Sequence, residues 1–184
     1  MIRLLFLIVL AGLPSVALSQ SLEKYYVSGM TAKQLASSIR ALGPRNATGT
    51  TRVTFAYSYS RVTTKGFAQA LNPVVKRDLT FRMPFWSAYH AASPCLQKSW
   101  TAMYASLSRH EIKHAQISEG YEEKIRRAIL SVGRHRSNGA LDRAVKAAVK
   151  KVLREHSAAQ AKFDRETQHG AKDPKDPIVF RSCK

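Results

Sequence analysis

Cysteine is scarce in this chain: Cys95 and Cys183 are the only two. Neither has a second cysteine nearby, which argues against a cysteine-ligated metal. Acidic residues are scarce too, 12 Asp and Glu against 30 Lys and Arg, for a formal charge of +18. That excess favours anionic partners such as acidic protein, anionic lipid or cell-wall polymer. The cations do not form one basic block; they are spread over the predicted helices with apolar residues between them. Beyond the first 19 residues no long apolar run occurs, so no membrane span is expected there. Internal repeats and low-complexity tracts are missing as well.

The first 19 residues do carry such a run. Arg3 supplies a positive charge, Leu4 to Leu13 is apolar, and Pro14 with Ala17-Leu18-Ser19 gives a small-residue cleavage signal. We read residues 1–19 as a secretory signal peptide and 20–184 as one domain, secreted or periplasmic. Export makes nucleic acid an unexpected partner. It also favours a disulfide, and two cysteines allow one pairing, Cys95 with Cys183.

Along the chain, Lys24 to Gly29 suggests a short strand. Thr31 starts a helix, with Gln34 as its capping-box partner, which stops at Gly43-Pro44. Val53, Phe55, Tyr57 and Tyr59 alternate, predicting a half-buried strand over Thr51–Val62. Residues 63–72 read as a connection and 74–85 as a second strand, placed at a sheet edge or ended by Pro84. Trp100, Met103, Leu107, His110, His114, Ile117, Tyr121 and Ile125 follow three-and-four spacing, predicting one long helix over 97–130. A basic turn over Gly133–Gly139 leads to a last helix over about 140–168, antiparallel to it, and then a tail. The fold class is therefore α+β: a small antiparallel or mixed sheet packed on two long helices.

His110-Glu111-Ile112-Lys113-His114 carries the chemistry. Residues i and i+4 of a helix share one face, so two imidazoles so placed grip one zinc ion. The glutamate beside the first reaches the water the metal activates, as general base. Six histidines and seven glutamates in a chain this long give roughly 0.007 chance matches to the pattern. Both histidines lie on the apolar stripe, which places a metal against the body of the domain.

A catalytic zinc takes three protein ligands and keeps one open position. The third ligand must come from elsewhere. His169 ends the last helix, which the antiparallel arrangement brings back toward the middle of the zinc helix. Asp164 and Glu166 are carboxylate alternatives, either of which could instead orient a ligand histidine. His156, on an apolar stripe, reads better as a core histidine; His90 lies before the zinc helix and His135 in a loose turn. Tyr104, Tyr121, Tyr89 and His90 are candidate oxyanion donors.

The chain resembles a family of bacterial predicted secreted zinc-dependent proteases, otherwise a domain of unknown function. The matching pieces are Tyr26-Val27-Ser28-Gly29-Met30-Thr31-Ala32, then Trp100-x-x-x-Tyr104 leading into Leu107-x-x-His110-Glu111-x-x-His114, and finally Phe163-Asp164-x-x-Thr167-x-His169-Gly170. The resemblance implies a zincin-like peptidase with Zn2+ held by His110, His114 and His169, and Glu111 as catalytic base. Lys113 stands where that family often has glycine, and Ala171-Lys172-Asp173-Pro174 departs from its usual continuation. By analogy with zincins, an edge strand over residues 78–83 would hold an extended protein or peptide substrate. Two other classes fit the sequence: a non-enzymatic basic envelope protein that binds an anionic surface or polymer, and a degenerate peptidase whose zinc is structural.

Overall fold

The computed structural model describes residues 19–44, 47–173 and 177–181. All but the last residue of the expected signal peptide, and Cys183, lie outside them.

The protein is α+β. Strand β1 (Ser19–Val27) pairs in parallel with β3 (Phe67–Trp86), and β2 (Thr50–Thr64) pairs with β3 antiparallel. A two-residue β4 (Arg134–His135) adds to the start of β3, completing a four-stranded mixed sheet. The helices are α1 (Ala32–Leu42), α2 (Pro94–Ile117), α3 (Tyr121–Ser131) and α4 (Asn138–Thr167), with a 3-10 turn at Tyr89–Ala91.

Three expectations are corrected. Residues 67–72 are strand, not connection. The reversal is a tight turn at Lys65 and Gly66, both with positive φ, which suits the twist of a hairpin. Asn72, also at positive φ, sits opposite the register shift between Ser58 and Ser60, so a bulge rather than a loop interrupts the ladder. Second, β3 is central and not an edge. Asp78–Arg82 pair with β1 on one side and β2 on the other, so no free backbone is left there for a substrate. Pairing to β2 stops at Arg82, and Pro84 sits where β3 is paired only to β1, the one-sided setting that tolerates proline. Third, the long helix is two helices. Gly120 adopts φ 78, a left-handed conformation that breaks the helix after Ser118. The apolar stripe continues across the break, which is why its spacing read as one element.

The break separates two cores. Leu96, Trp100, Met103 and Leu107 of α2 pack with Leu79, Phe81 and Met83 of β3 and with Leu35 and Ile39 of α1. Ile125 and Ile129 of α3 pack with Leu141, Val145 and Val149 of α4 and with Ala68, Ala70 and Val75 at the start of β3. Each such aliphatic side chain, fully buried, contributes about 1.5–3 kcal/mol. Arg77 of β3 ties the seam: it donates to Ala115 O (3.2 Å) and Ser118 Oγ (2.7 Å) at the end of α2 and pairs with Glu122 of α3 at 2.9 Å. The second half of α4 then runs back along the end of α2, with residue 160 beside 114 and residue 164 beside 110 and 114.

Candidate metal centre

His110 and His114 meet one turn apart on α2, ring centroids 4.9 Å apart and planes nearly perpendicular. Their Nε2 atoms lie 3.3 Å from each other. From α4, Asp164 brings its Oδ1 to 3.0 Å from His114 Nε2 and 3.5 Å from His110 Nε2. Phe163, beside it, stacks on the His110 ring at 4.7 Å and meets the His114 ring edge-on at 5.0 Å. Both histidines are buried, and the three donor atoms form a group able to hold a metal ion. Burial, together with the neighbouring His114, holds the His110 imidazole below its usual pKa, so protons compete weakly for it.

Gln160 fixes the proton on His114. Its Nε2 lies 3.0 Å from the His114 backbone carbonyl and 2.9 Å from His156 Nε2, and its Oε1 lies 2.6 Å from His114 Nδ1. A carbonyl only accepts, so the amide nitrogen must face it. The amide oxygen then faces Nδ1, which must carry the hydrogen. The free lone pair of His114 is left on Nε2, on the side of His110 and Asp164.

Glu111 is 3% exposed and lines the same cavity, about 270 Å³, as both histidines, Asp164 and His169. Thr51 at the start of β2 donates its hydroxyl to Glu111 Oε2 at 2.8 Å, with the Glu111 carbonyl 3.0 Å away. Burial raises the carboxyl's pKa, and the Thr51 hydrogen bond partly offsets that. Gly49 packs closely at the mouth: a Cβ there would stand 3.0 Å from Leu107 Cδ1 and 3.2 Å from Glu111 Oε1, so those side chains would have to shift slightly.

His169 reaches the cavity from the turn after α4. Its Nδ1 is 3.4 Å from Asp164 Oδ1, and its side chain is half exposed. Gln168 and His169 both have positive φ, a conformation held by the hydrogen bonds around them: His169 N to Asp164 O, Gly170 N to Thr167 Oγ1, and Lys172 N to Thr167 O. Gly170 is required by close approach as well as by its φ of 81°, since a Cβ would stand 2.3 Å from Ile178 Cδ1 and 3.2 Å from His110 Nδ1.

The other candidates stand outside the ligand group. His156 lines the same cavity but is buried edge-on against Phe55 and Tyr121 and contacts Gln160 rather than the ligand atoms. His135 contacts Val132 O, His90 sits against Tyr89, and Glu166 pairs with Lys162. Tyr104, Tyr121, Tyr89 and His90 do not line the metal cavity. Thr51 and Gln160 were not singled out from the sequence. Gln160 had a readable signal: His156, Gln160 and Asp164, four apart, make a polar stripe on the buried side of α4. Thr51 had none, since its role depends on how β2 crosses α2.

A family model described as "Bacterial protein of unknown function (DUF922)" matches residues 22–170, and the chain belongs to that family. No curated protein and no solved structure matches the chain.

Proposed function

We propose that this member of the family is an exported zinc-dependent peptidase that cleaves protein or peptide chains, with Glu111 as general base. The observation that carries the reading is the spacing of the donor atoms. Zinc–ligand bonds of about 2.0–2.1 Å at tetrahedral angles put neighbouring donors about 3.3–3.4 Å apart. The three separations among His110, His114 and Asp164 are 3.3, 3.5 and 3.0 Å. Two imidazoles and a carboxylate are a donor set that suits zinc.

When bound there, zinc would polarise the scissile carbonyl and bring a water's pKa toward neutrality. The chain's own residues do the rest. Thr51 occupies Glu111 Oε2, which leaves Oε1 free to take the proton of the attacking water and deliver it to the leaving amine. Gln160 keeps the His114 lone pair aimed inward. In this reading Asp164 takes the third ligand place, and His169, expected there from the resemblance, stands beside it as the donor to the developing oxyanion. Substrate would add to the free edge of β2 near Thr50–Val53, which lines the cavity, in place of the paired 78–83 segment.

Export and the disulfide belong to the same proposal. Ser99 Oγ donates to Arg181 O (2.9 Å) and accepts from Arg181 N (2.8 Å), holding the tail one turn along α2 from Cys95. Cys95 is not a free thiol, and Cys183 follows Arg181 by two residues.

Metal analysis of the purified protein, with Asp164→Ala and His169→Ala beside it, tests the assignment. One zinc per chain is expected, lost in Asp164→Ala and retained in His169→Ala with hydrolysis impaired. The reverse pattern would return the third ligand place to His169, and no zinc in the wild type would end the reading.

The charge favours a second reading, a basic envelope protein that works without catalysis. Arg143, Lys146, Lys150, Lys151 and Arg154 are all exposed along α4. Binding to an anionic polymer that survives Glu111→Gln and fades with salt would support it.

A further inference from the structure

The two histidines of the metal centre are not served alike. His114 has Gln160 to hold its Nδ1 hydrogen. His110 turns its Nε2 to the same point, so its own Nδ1 must carry a hydrogen whenever a metal takes that lone pair. This Nδ1 is buried, on a side chain only 5% exposed, and no hydrogen-bond partner meets it among the described residues. Native proteins leave few buried N–H groups without an acceptor.

Asp164 lies on the Nε2 side of the ring. The Nδ1 side meets the turn after α4: a Cβ on Gly170 would stand 3.2 Å from this nitrogen. The backbone and hydroxyl acceptors of that turn are already engaged. Gly170 O takes the N–H of Asp173 at 3.3 Å and of Ile178 at 3.0 Å, which uses both its lone pairs. Thr167 O takes Lys172 N at 2.9 Å, and Thr167 Oγ1 takes Gly170 N at 3.2 Å.

Asp173 supplies the carboxylate of this turn. Its backbone is one hydrogen bond from Gly170, and its side chain is half-buried. Pro174 follows it in the sequence, which disfavours helical backbone at Asp173 and limits where the carboxylate can go. Its charge also reaches the ring. Burial and His114 hold the His110 pKa down, while Asp164 and then Asp173 act the other way.

We propose that Asp173 is the positioning residue for His110: with Zn2+ on Nε2, the Asp173 carboxylate turns onto Nδ1 and accepts its hydrogen, as Gln160 does for His114. A carboxylate behind a ligand histidine fixes the ring and makes its other nitrogen a better donor to the metal. The inference rests on the zinc reading of the site and not on peptide hydrolysis.

Zinc competition against a chromophoric chelator tests it, on wild type, Asp173→Ala, Asp173→Asn and Lys172→Ala. Asp173→Ala should weaken zinc binding by about 10- to 100-fold. Asp173→Asn keeps an accepting oxygen and should restore most of that affinity. Lys172→Ala, the exposed neighbour in the same turn, should match wild type. The urea midpoint of the metal-free protein should stay near the parent's in all three. NMR of ring-nitrogen-labelled, zinc-loaded protein reads the hydrogen itself. The His110 Nδ1–H proton should lie downfield in wild type and in Asp173→Asn, and move upfield in Asp173→Ala. Asp173→Ala that binds zinc as tightly as wild type, an unmoved Nδ1–H proton in it, or an equal loss in Lys172→Ala would overturn the proposal and leave the zinc site standing. A wild type that takes no zinc would end both. Zinc binding without hydrolysis of any peptide would remove the peptidase and leave Asp173 its role.

Discussion

Replacing Gln160 with Met keeps most of the side-chain volume and removes three hydrogen bonds at once: to His114 Nδ1, to the His114 carbonyl and to His156. The hydrogen on His114 Nδ1 is then no longer specified, and the ring is free to place it on Nε2, where a metal must bind. Loss of an outer partner of a ligand histidine typically weakens metal binding by about 10- to 100-fold. That corresponds to about 1.4–2.7 kcal/mol. The cavity beside Gln160 admits water, so the cost to the metal-free fold should be small, about 1 kcal/mol, because solvent can replace part of what is lost. Gln160→Glu separates the two roles. It keeps an acceptor for Nδ1 but turns a carboxylate oxygen toward the His114 carbonyl, so metal affinity should hold while stability falls. Competition against a chromophoric chelator reads the affinity, and thermal unfolding of the metal-free protein reads the stability. If Gln160→Met binds zinc within twofold of wild type, the tautomer argument is wrong.

Three further outcomes follow from the same contacts. Gly170→Ala should lose about 1–3 kcal/mol in urea unfolding, because its φ and its contact with Ile178 both exclude a Cβ, and zinc affinity should fall with it through His110. Thr51→Val removes a hydrogen bond that stabilises the charged form of Glu111, so its carboxyl pKa rises further; the acid limb of the kcat/KM profile should move to higher pH, and a shift to lower pH would contradict the role given to Thr51. Arg77→Met strands Glu122 in a largely buried site and should cost about 3 kcal/mol, read as a lower urea midpoint, whereas Arg77→Met with Glu122→Leu should recover most of it.

The sequence announced what is local and periodic. The one-turn spacing of His110 and His114, the capping of α1 by Thr31 and Gln34, and the stripe Leu141, Val145, Val152, His156 needed no knowledge of distant parts of the chain. What depends on pairing was harder to see. The order β1-β3-β2 makes β3 central, and nothing local to residues 78–83 tells a central strand that ends near a proline from an edge strand. The break at Ser118–Gly120 was masked because α3 buries the same stripe against a different partner. At the site, Asp164 and His169 are both within reach of one another, and the choice between them is set by how far α4 slides along α2, a distance no spacing rule contains.

The most direct test of the central claim is hydrolysis of an unstructured protein by zinc-loaded wild type and Glu111→Gln side by side, with metal content measured on the same samples. The account expects one zinc in each and loss of activity by about 10²–10⁴-fold in the variant, the contribution of a general base. Equal activity in the two proteins, or hydrolysis that persists after the metal is stripped from wild type, would contradict it.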